Sequence, residues 1–264
     1  MLKLNREGVR VLFEACPLCL SPDIRLLREE DTSRHPLHNP VLGETMRWCM
    51  CPDCGHVFVE GYYTEAALRV LFGRTAPNQV AGRGLERSRM VSARMIERIL
   101  PYQDCGEWLD VGFGNASLLL TAKEFGFKPF GIDLRAANVE LARKIGVESE
   151  AVDITLLAGS DRFTVVSMAD VLEHIPFPGA ALRAAHRLLR QGGALFVSMP
   201  NSESAVWDLT TEQKTNPYWF EIEHYHNFSR TRLRDFLVEN GFEPASYGVS
   251  ERYRMCMEMV AIKK

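Results

Sequence analysis

The sequence predicts an α/β fold in which a mostly parallel sheet carries helices on both faces, preceded by a small cysteine-rich module. From residue 85 onward the 264-residue chain alternates short apolar runs with amphipathic segments. This alternation is typical of parallel strands that are joined by crossover helices. Five of the seven cysteines lie within the first 54 residues, which separates an N-terminal module from the α/β domain. We place these two domains at residues 1–72 and 73–264.

The α/β domain is predicted to begin with a helix over residues 85–100, after a linker-like stretch at residues 72–84 that is rich in glycine and polar side chains. Val91, Met95 and Ile99 recur every fourth residue along this helix, and Pro101 ends it. The later segment FTVVSMAD is almost continuously apolar, as expected of a strand buried on both faces. The predicted elements are, in order, strand EWLDVGF, helix 116–125, strand KPFGIDL, helix 136–145, strand FTVVSMAD, helix 179–190 closed by Gly192 and Gly193, strand ALFVSMP, helix 229–239 and two strands within 243–262.

Charge and hydropathy exclude some classes of protein. The formal net charge is −3, whereas proteins that hold nucleic acid through its phosphates usually carry a basic excess. The N-terminus has no apolar run of signal-peptide length, and no stretch approaches the ~20 apolar residues of a membrane span. We therefore expect a soluble, cytoplasmic protein, in which cysteines favour metal binding or free thiols over disulfides.

The stretch from Asp110 to Gly114 forms a glycine turn at the end of the first predicted strand. Ligands of open parallel sheets bind beyond the carboxyl ends of the strands, where glycine lets the backbone approach closely. Asp133 ends the next strand, 19 residues after Gly114, and a carboxylate there can accept hydrogen bonds from both hydroxyls of a ribose. Ser117 replaces the third glycine of a dinucleotide fingerprint, which weakens a nicotinamide reading. A tight turn without a ligand is the structural alternative.

The segments LDVGFGNA, GIDL, AVDI, ADVLEHI and FVSMPN together resemble the class I S-adenosylmethionine-dependent methyltransferases, in that family's order and spacing, over about residues 85–264. The resemblance implies a Rossmann-like seven-stranded sheet, whose last strand, RMCMEMVAIKK, is antiparallel, and S-adenosylmethionine as the cofactor. Ala116 departs from the pattern, because many members have a third glycine there. By position, the resemblance assigns the methionyl part to Asp110, Gly112 and Gly114, the ribose to Asp133, the adenine to Asp153 and Ile154, and the cofactor-lining end of strand four to Met168, Ala169 and Asp170.

Candidate catalytic residues follow the fourth strand of this domain. Glu173 and His174 stand where the methyl acceptor should lie, and histidine suits general-base catalysis near neutral pH. In some members of the family a His or Glu-His here takes part in catalysis, whereas in others it only shapes the pocket. Residues 201–228 form a long, aromatic insertion that we interpret as an acceptor lid, from which His224 or His226 could reach the substrate. A flap that merely covers the sheet is the alternative.

The acceptor is inferred from resemblance. EIEHYHNFS is similar to an E-H-x-x-x-F-S stretch in a branch of these methyltransferases that is often seen beside saccharide or lipid biosynthesis enzymes. This similarity predicts a small-molecule acceptor, such as a sugar or sugar nucleotide. An RNA or protein methyltransferase that uses the cysteine module for recognition is the second hypothesis, and a non-catalytic binding scaffold is the third. The sequence leaves the oligomeric state open.

Two C-x-x-C knuckles in the N-terminal module predict a zinc site. Four thiolates from such a pair form a closed tetrahedral site, which is expected to be structural rather than catalytic. The 31-residue spacer between the knuckles is longer than the common ribbon spacing of about 15–20 residues. Cys49 competes with Cys51 for one ligand position, and His35, His38 and His56 are weaker candidates. The predicted zinc ligands are Cys16, Cys19, Cys51 and Cys54.

Overall fold

The computed structural model describes residues 8–71, 79–253 and 255–264. The chain forms two compact units: one takes its described residues from 1–75, 173–178 and 200–233, and the other from 76–172, 179–199 and 234–264. The expected domain boundary at residues 72 and 73 and most of the linker-like stretch lie outside the described residues. Within the described ranges, no helix is both long enough and apolar enough to cross a membrane.

The regular elements are numbered in chain order. The strands are β1 (Arg10–Leu12), β2 (Arg25–Asp31), β3 (Thr45–Met50), β4 (Val57–Val59), β5 (Gly61–Tyr63), β6 (Gly106–Val111), β7 (Phe127–Ile132), β8 (Glu148–Glu150), β9 (Phe163–Ala169), β10 (Leu189–Pro200), β11 (His226–Asn227), β12 (Phe242–Val249) and β13 (Cys256–Lys263). The helices are α1 (Glu65–Leu71), α2 (Leu85–Ile99), α3 (Ser117–Glu124), α4 (Ala136–Lys144), α5 (Pro178–Leu188), α6 (Ala205–Glu212) and α7 (Arg230–Glu239).

The second unit is built on a seven-stranded sheet with the order β12-β13-β10-β9-β6-β7-β8. Strands β10, β9, β6, β7 and β8 pair parallel with one another in that order, whereas β12 and β13 pair antiparallel. The predicted α/β fold is thereby confirmed, as is the antiparallel pairing of the last strand. After β8 the chain returns to the other side of β6 to form β9, and this reversal of strand order opens a crevice at the carboxyl ends of the strands.

The core of this unit follows from the apolar strands. β9 is buried almost throughout, as its sequence predicts. Trp108 of β6 is fully buried and meets Phe127 of β7 edge to face, with ring centroids 4.9 Å apart. Its indole Nε1 donates a hydrogen bond to Ser167 Oγ at 2.8 Å, so the one polar atom of the tryptophan has a partner.

The prediction that Gly192 and Gly193 close the fifth helix was wrong. Helix α5 ends at Leu188, and both glycines lie within β10 at an irregularity in its pairing with β9. A Cβ on Gly193 would lie 2.8 Å from the Arg190 carbonyl oxygen and 3.2 Å from the Thr164 carbonyl oxygen. The glycine therefore allows a close approach of backbone segments at a bulge, which has the same sequence signature as a helix end.

The first unit contains a four-stranded antiparallel sheet with the order β11-β4-β3-β2, together with the antiparallel pair β1 and β5. Its core includes Trp48 of the N-terminal module, and the Trp48 Nε1 donates to the Trp219 carbonyl oxygen at 2.7 Å. Trp207, Trp219 and Tyr225 of the predicted lid are 3–7 % exposed and belong to the same core. These aromatic side chains of the 201–228 insertion thus pack in the core of the unit, and the role of the insertion as an acceptor lid stays a prediction.

Candidate active site and metal centre

The glycine turn after β6 contains two residues with left-handed backbone. Gly112 and Gly114 have φ of 65° and 54°, a region that glycine enters without steric cost. The Gly112 N–H donates to the Ile132 carbonyl oxygen at 2.7 Å, and a Cβ on Gly112 would lie 3.0 Å from Val171 Cγ2. Gly112 itself is exposed, so its backbone is accessible to a ligand.

Ala116 adopts the same left-handed backbone at the N-cap of α3, with φ of 64°. This is the position at which many class I methyltransferases carry a third glycine. The conformation costs a residue with a Cβ roughly 1–2 kcal/mol, whereas burial of the fully enclosed methyl group contributes about 0.8 kcal/mol. The two effects nearly offset each other, which explains why alanine is tolerated here.

Asp110 is the most deeply buried carboxylate of the turn, with 3 % of its surface exposed. Ser167 Oγ donates to Asp110 Oδ1 at 2.6 Å, and Ser167 in turn accepts the hydrogen bond from Trp108. Burial raises the pKa of Asp110 to about 7, although the hydrogen bond from Ser167 lowers it. The carboxyl group is therefore poised to change its charge near neutral pH.

Asp133 follows β7 and is held by four donors. Its Oδ1 accepts from the Arg135 N–H and from Arg135 Nε, both at 2.9 Å. Its Oδ2 accepts from Arg135 Nη2 at 2.7 Å and from Asn138 Nδ2 at 3.2 Å. A carboxylate offers about four lone-pair sites, so a ribose can use Asp133 only if the Arg135 side chain moves away.

The two residues predicted to flank an adenine lie beyond β8. Ile154 is buried, with 3 % of its surface exposed. Asp153 Oδ1 accepts from the N–H of Thr155 at 2.8 Å and from its Oγ1 at 2.5 Å, which forms an Asx turn. The assignment of these residues to an adenine stays a prediction.

Ala169 ends β9, and Asp170 directly follows it with a left-handed φ of 55°. The Asp170 N–H donates to the Ser198 carbonyl oxygen at 2.9 Å, and Ser198 Oγ donates to Asp170 Oδ1 at 2.9 Å. Arg252 Nη1 lies 3.1 Å from Asp170 Oδ2, yet among the described residues no donor reaches that buried oxygen with hydrogen-bond geometry. Ser198 thus holds the backbone N–H and Oδ1 of Asp170, while Oδ2 can still accept a hydrogen bond.

The first unit brings together Glu173, His174 and His224, whose side-chain nitrogen and carboxylate atoms lie within 4.8 Å of one another. His174 Nδ1 lies 3.0 Å from the Glu223 carbonyl oxygen. Because a carbonyl oxygen can only accept, Nδ1 carries the proton and Nε2 of the neutral ring has the lone pair. Burial lowers the pKa of His224 to about 3, with His174 acting in the same direction, so His224 is neutral at pH 7.

His226 is the alternative to His224 as a residue that could reach the substrate, but both of its ring nitrogens form hydrogen bonds within the protein. Its Nε2 lies 2.9 Å from the Ile175 carbonyl oxygen and its Nδ1 lies 3.0 Å from His56 Nε2. Nε2 must therefore donate to the carbonyl, and Nδ1 accepts from His56. Burial lowers the pKa of His226 to about 4. Of the two histidines, His224 is the one that lies against His174.

A histidine–carboxylate contact that the sequence did not reveal lies beside this cluster. His35 Nε2 is 3.1 Å from Glu221 Oε1. Burial raises the pKa of Glu221, but the hydrogen bond with His35 and the electrostatic effect of the neighbouring histidines outweigh it, so that the pKa falls to about 2. The partners are 186 residues apart in the chain, and no local pattern links positions so far apart.

The four cysteines of the two knuckles form one cluster. The Cys16 and Cys54 sulfur atoms are 3.7 Å apart, and those of Cys19 and Cys51 are 3.6 Å apart. The group contains Cys51 and not Cys49, and His35, His38 and His56 are not part of it. The hydrogen bond with Cys16 and then burial raise the pKa of Cys54.

The two knuckles share one backbone conformation. In each, the first cysteine donates its N–H to the carbonyl five residues later and accepts from the N–H four residues later, at 2.8–3.0 Å. The residue four positions later is left-handed in both knuckles, with φ of 62° at Leu20 and 68° at Gly55. Ser21 Oγ joins the two turns by donating to Asp53 Oδ2 at 2.5 Å. The module is therefore built around the four sulfur atoms.

Comparison with known families places the α/β domain. The sequence pattern of a family described as "Methyltransferase domain" matches residues 85–247, which is more than half of the chain. The chain belongs to this methyltransferase family. The match confirms the relationship that the motifs around Asp110, Asp133 and Asp170 predict.

Relatives and solved structures agree with this membership. A ubiquinone biosynthesis O-methyltransferase of Xanthomonas oryzae pv. oryzae is 37 % identical over 109 residues, which is 38 % of this chain and 46 % of that protein. The chain spans less than half the length of the curated relatives it matches.

The fold is shared with a 1,6-didemethyltoxoflavin-N1-methyltransferase of Burkholderia thailandensis, solved with 1,6-didemethyltoxoflavin and S-adenosylhomocysteine. Its TM-score is 0.58 at 20 % identity, and the match covers 81 % of this chain and 98 % of that one. A [4+2]-cyclase also shares the fold, with a TM-score of 0.54 at 17 % identity over 71 % of this chain and 84 % of that one. Since one fold supports different reactions, the reaction of the present chain depends on the residues of its site and not on the fold alone.

Proposed function

We propose that the protein transfers a methyl group from S-adenosylmethionine to a hydroxyl group of a small molecule. The observation that carries the proposal is the set of three carboxylates at the carboxyl ends of adjacent parallel strands. Asp170 follows β9, Asp110 lies near the end of β6, and Asp133 follows β7. The cofactor carries a ribose diol, an ammonium group and a sulfonium cation, and all three suit carboxylate partners.

The residues of the second unit fit the cofactor by their donor and acceptor chemistry. Asp133 would accept the ribose hydroxyls once Arg135 has released it, and Ile154 with Asp153 would flank the adenine. Asp110, Gly112 and Gly114 would surround the methionyl part, as would Ala169 and Asp170. The cofactor supplies a methyl group that its sulfonium already activates. The protein then has to align the acceptor with that methyl group, and alignment alone can contribute several kcal/mol.

We further propose that His174 is the general base and that Glu173 and His224 support it. The tautomer fixed by the Glu223 carbonyl leaves Nε2 of His174 as the proton acceptor. Glu173 is 1 % exposed, and its carboxylate in the same cluster would stabilise the imidazolium that forms after proton uptake. His224 stays neutral, since burial depresses its pKa, and its ring packs edge-on against that of His174 with centroids 4.6 Å apart. This packing holds the base in one orientation.

For the acceptor we propose a sugar or a sugar nucleotide. The proposal rests on the similarity of the EIEHYHNFS stretch to saccharide-associated methyltransferases, and the O-methyltransferase name of the curated relatives favours an oxygen nucleophile. A hydroxyl group must lose a proton during transfer, which is consistent with a cluster that contains an oriented base. The net charge of −3 disfavours an RNA acceptor.

We also propose that Cys16, Cys19, Cys51 and Cys54 hold a structural zinc ion and that residues 1–72 form a zinc-ribbon-like module around it. Zinc–sulfur bonds of about 2.3 Å in a tetrahedron place sulfur atoms about 3.8 Å apart. The separations of 3.6 and 3.7 Å fit that geometry. Four thiolates leave no open position, so the ion would stabilise the fold rather than take part in methyl transfer.

Turnover with defined variants tests the proposal. Purified protein is incubated with S-adenosylmethionine and a panel of sugar nucleotides, sugars and phenols, and S-adenosylhomocysteine is quantified. We expect His174→Asn to lower kcat by about 10²-fold or more without changing the Kd of the cofactor. His186→Asn is the matched control, because His186 of α5 packs against Phe242 outside the cluster. An unchanged kcat in His174→Asn would contradict the base assignment, and cofactor binding without turnover on any acceptor would favour a scaffold.

A further inference from the structure

Arg252 lies next to Asp170, one of the carboxylates at the crevice of the second unit. Arg252 belongs to the connection between β12 and β13, and its side chain is 37 % exposed. Its Nη1 lies 3.1 Å from Asp170 Oδ2 without hydrogen-bond geometry. A guanidinium group has five N–H donors in a planar fork, so its contacts with Asp170 and the Tyr253 side chain leave donors for another partner.

The connection that carries Arg252 is anchored on both sides. The Arg252 N–H donates to Ser250 Oγ at 3.1 Å, and the Ser250 N–H donates to the Cys256 carbonyl oxygen at 2.9 Å. Arg98 of α2 donates to the Val249 carbonyl oxygen at 2.9 Å. These hydrogen bonds hold the backbone at Arg252, and the contact with Asp170 holds its guanidinium.

The charge of Arg252 acts on two carboxylates at once. Burial lowers the pKa of Arg252, but Asp170, Tyr253 and Asp110 together raise it above its usual range. Arg252 in turn lowers the pKa of Asp110, against the larger opposing effect of burial. The positive charge thus lies in the field of Asp110 and Asp170, which are the residues assigned to the methionyl part of the cofactor.

The amino-acid end of S-adenosylmethionine is a zwitterion with an ammonium group and a carboxylate on one carbon. An arginine beside a carboxylate presents the complementary pair of charges. Asp170 Oδ2 retains its acceptor capacity for an ammonium group, and the planar fork of Arg252 matches a carboxylate. Asp170 Oδ2 is buried, so the side chains around it, including that of Arg252, have to shift before the ammonium group can bind there.

We propose that Arg252 binds the α-carboxylate of the cofactor while Asp170 binds its α-ammonium group. The inference rests on the proposed function, and it adds a residue to the cofactor site that lies outside every motif of the sequence. It also predicts that the site recognises the amino-acid part and the nucleoside part of the cofactor through separate residues.

Titration calorimetry on the full chain tests this assignment with three ligands. S-adenosylmethionine and S-adenosylhomocysteine carry the amino-acid group, whereas 5′-methylthioadenosine has the same nucleoside and sulfur without it. Arg252→Gln should weaken both amino-acid ligands about tenfold to a hundredfold, as for the loss of a charged hydrogen bond, and should change the Kd of 5′-methylthioadenosine less than about twofold. Arg252→Lys keeps the charge and loses the planar fork, so an intermediate loss is expected. Arg234→Gln is the matched control, because Arg234 forms an exposed pair with Asp235.

The outcomes separate this inference from the function on which it rests. Wild-type protein that binds none of the three ligands would refute the proposed function and the arginine assignment with it. If wild type binds S-adenosylmethionine and Arg252→Gln binds it equally well or more tightly, only the arginine assignment is refuted. Arg252 would then pair with Asp170 without binding the ligand. An equal loss for all three ligands would also overturn it, because Arg252 would act through the nucleoside pocket or the fold. Unchanged binding of 5′-methylthioadenosine shows at the same time that the variant is folded.

Discussion

Replacing Cys51 with serine should remove the metal from the N-terminal module, whereas replacing Cys49 should leave it in place. Cys51 lies 3.6 Å from the Cys19 sulfur and belongs to the four-sulfur cluster, and Cys49 does not. Structural zinc sites have apparent binding free energies of about 10–16 kcal/mol, so each of four thiolates contributes roughly 3 kcal/mol. Loss of one ligand should therefore weaken zinc binding by about a hundredfold or more.

The matched variant separates metal binding from ordinary packing. Cys49 is 7 % exposed, so Cys49→Ser buries a hydroxyl group and should destabilise the fold by about 1–3 kcal/mol without loss of metal. The assay is zinc content per chain by mass spectrometry after dialysis against a competing chelator, together with thermal unfolding. We expect one zinc per chain in wild type and Cys49→Ser, and little in Cys51→Ser. Full zinc retention by Cys51→Ser, or its loss from Cys49→Ser instead, would refute the ligand assignment.

Three further predictions concern the α/β domain. Arg135→Ala should tighten S-adenosylmethionine binding severalfold in calorimetry, because it removes the cation that pairs with Asp133, the carboxylate proposed to bind the ribose; weaker binding would show that Arg135 assists the cofactor. The folded state raises the pKa of Asp110 from 3.8 to about 7 and so holds its proton more tightly than the unfolded chain. Stability from this group is therefore present at low pH and is lost as pH rises from about 4 to 7. In denaturant unfolding, the free energy of unfolding of Asp110→Asn should rise relative to that of wild type across that window, by up to about 1.4 kcal/mol per pH unit. A difference in unfolding free energy that does not change with pH would contradict the burial argument. Gly112→Ala should lower Tm more than Gly146→Ala, because both glycines are left-handed but only at Gly112 would the new Cβ meet a neighbour, Val171; equal shifts would show that the contact relaxes.

The order of elements in the α/β domain could be predicted because each carries a local signal. The apolar run of β9, the period of Val91, Met95 and Ile99 and the glycine turn at Gly112 are short-range patterns, and short-range patterns determine which element forms. The observed bounds differ from the predicted ones by a few residues. The sheet order came from the family resemblance and not from these patterns, because strand pairing joins distant segments.

Other features could not be inferred from local patterns. Gly192 and Gly193 were misassigned because a bulge and a helix end share a glycine signature. The sequence could not show which of His224 and His226 lies beside His174, because this depends on their hydrogen-bond partners. In the fold, His226 bonds to the Ile175 carbonyl oxygen and to His56. The pair of His35 and Glu221 joins positions 186 residues apart, and only the folded chain brings them together.

The tryptophans of the 201–228 insertion illustrate a further limit. An aromatic cluster in a long loop is compatible with both a substrate lid and a packed core. The burial of Trp207 and Trp219 beside Trp48 shows that these two side chains pack in the core of the first unit, and the lid role of the segment stays a prediction. The sequence shows that the segment is rich in aromatic residues. It does not show that these residues pack against Trp48, because Trp48 lies far away in the chain, in the N-terminal module.

The measurement that tests the central claim most directly is titration calorimetry of wild type and Asp133→Ala with S-adenosylmethionine, S-adenosylhomocysteine and NADH. We predict micromolar binding of both adenosyl ligands to wild type and no binding of NADH. Asp133→Ala should weaken the adenosyl ligands at least tenfold, which is about 1.4 kcal/mol, because the ribose hydroxyls lose their acceptor. If the folded, zinc-loaded wild type binds neither adenosyl ligand, the proposed methyl transfer is contradicted and only the shared fold remains.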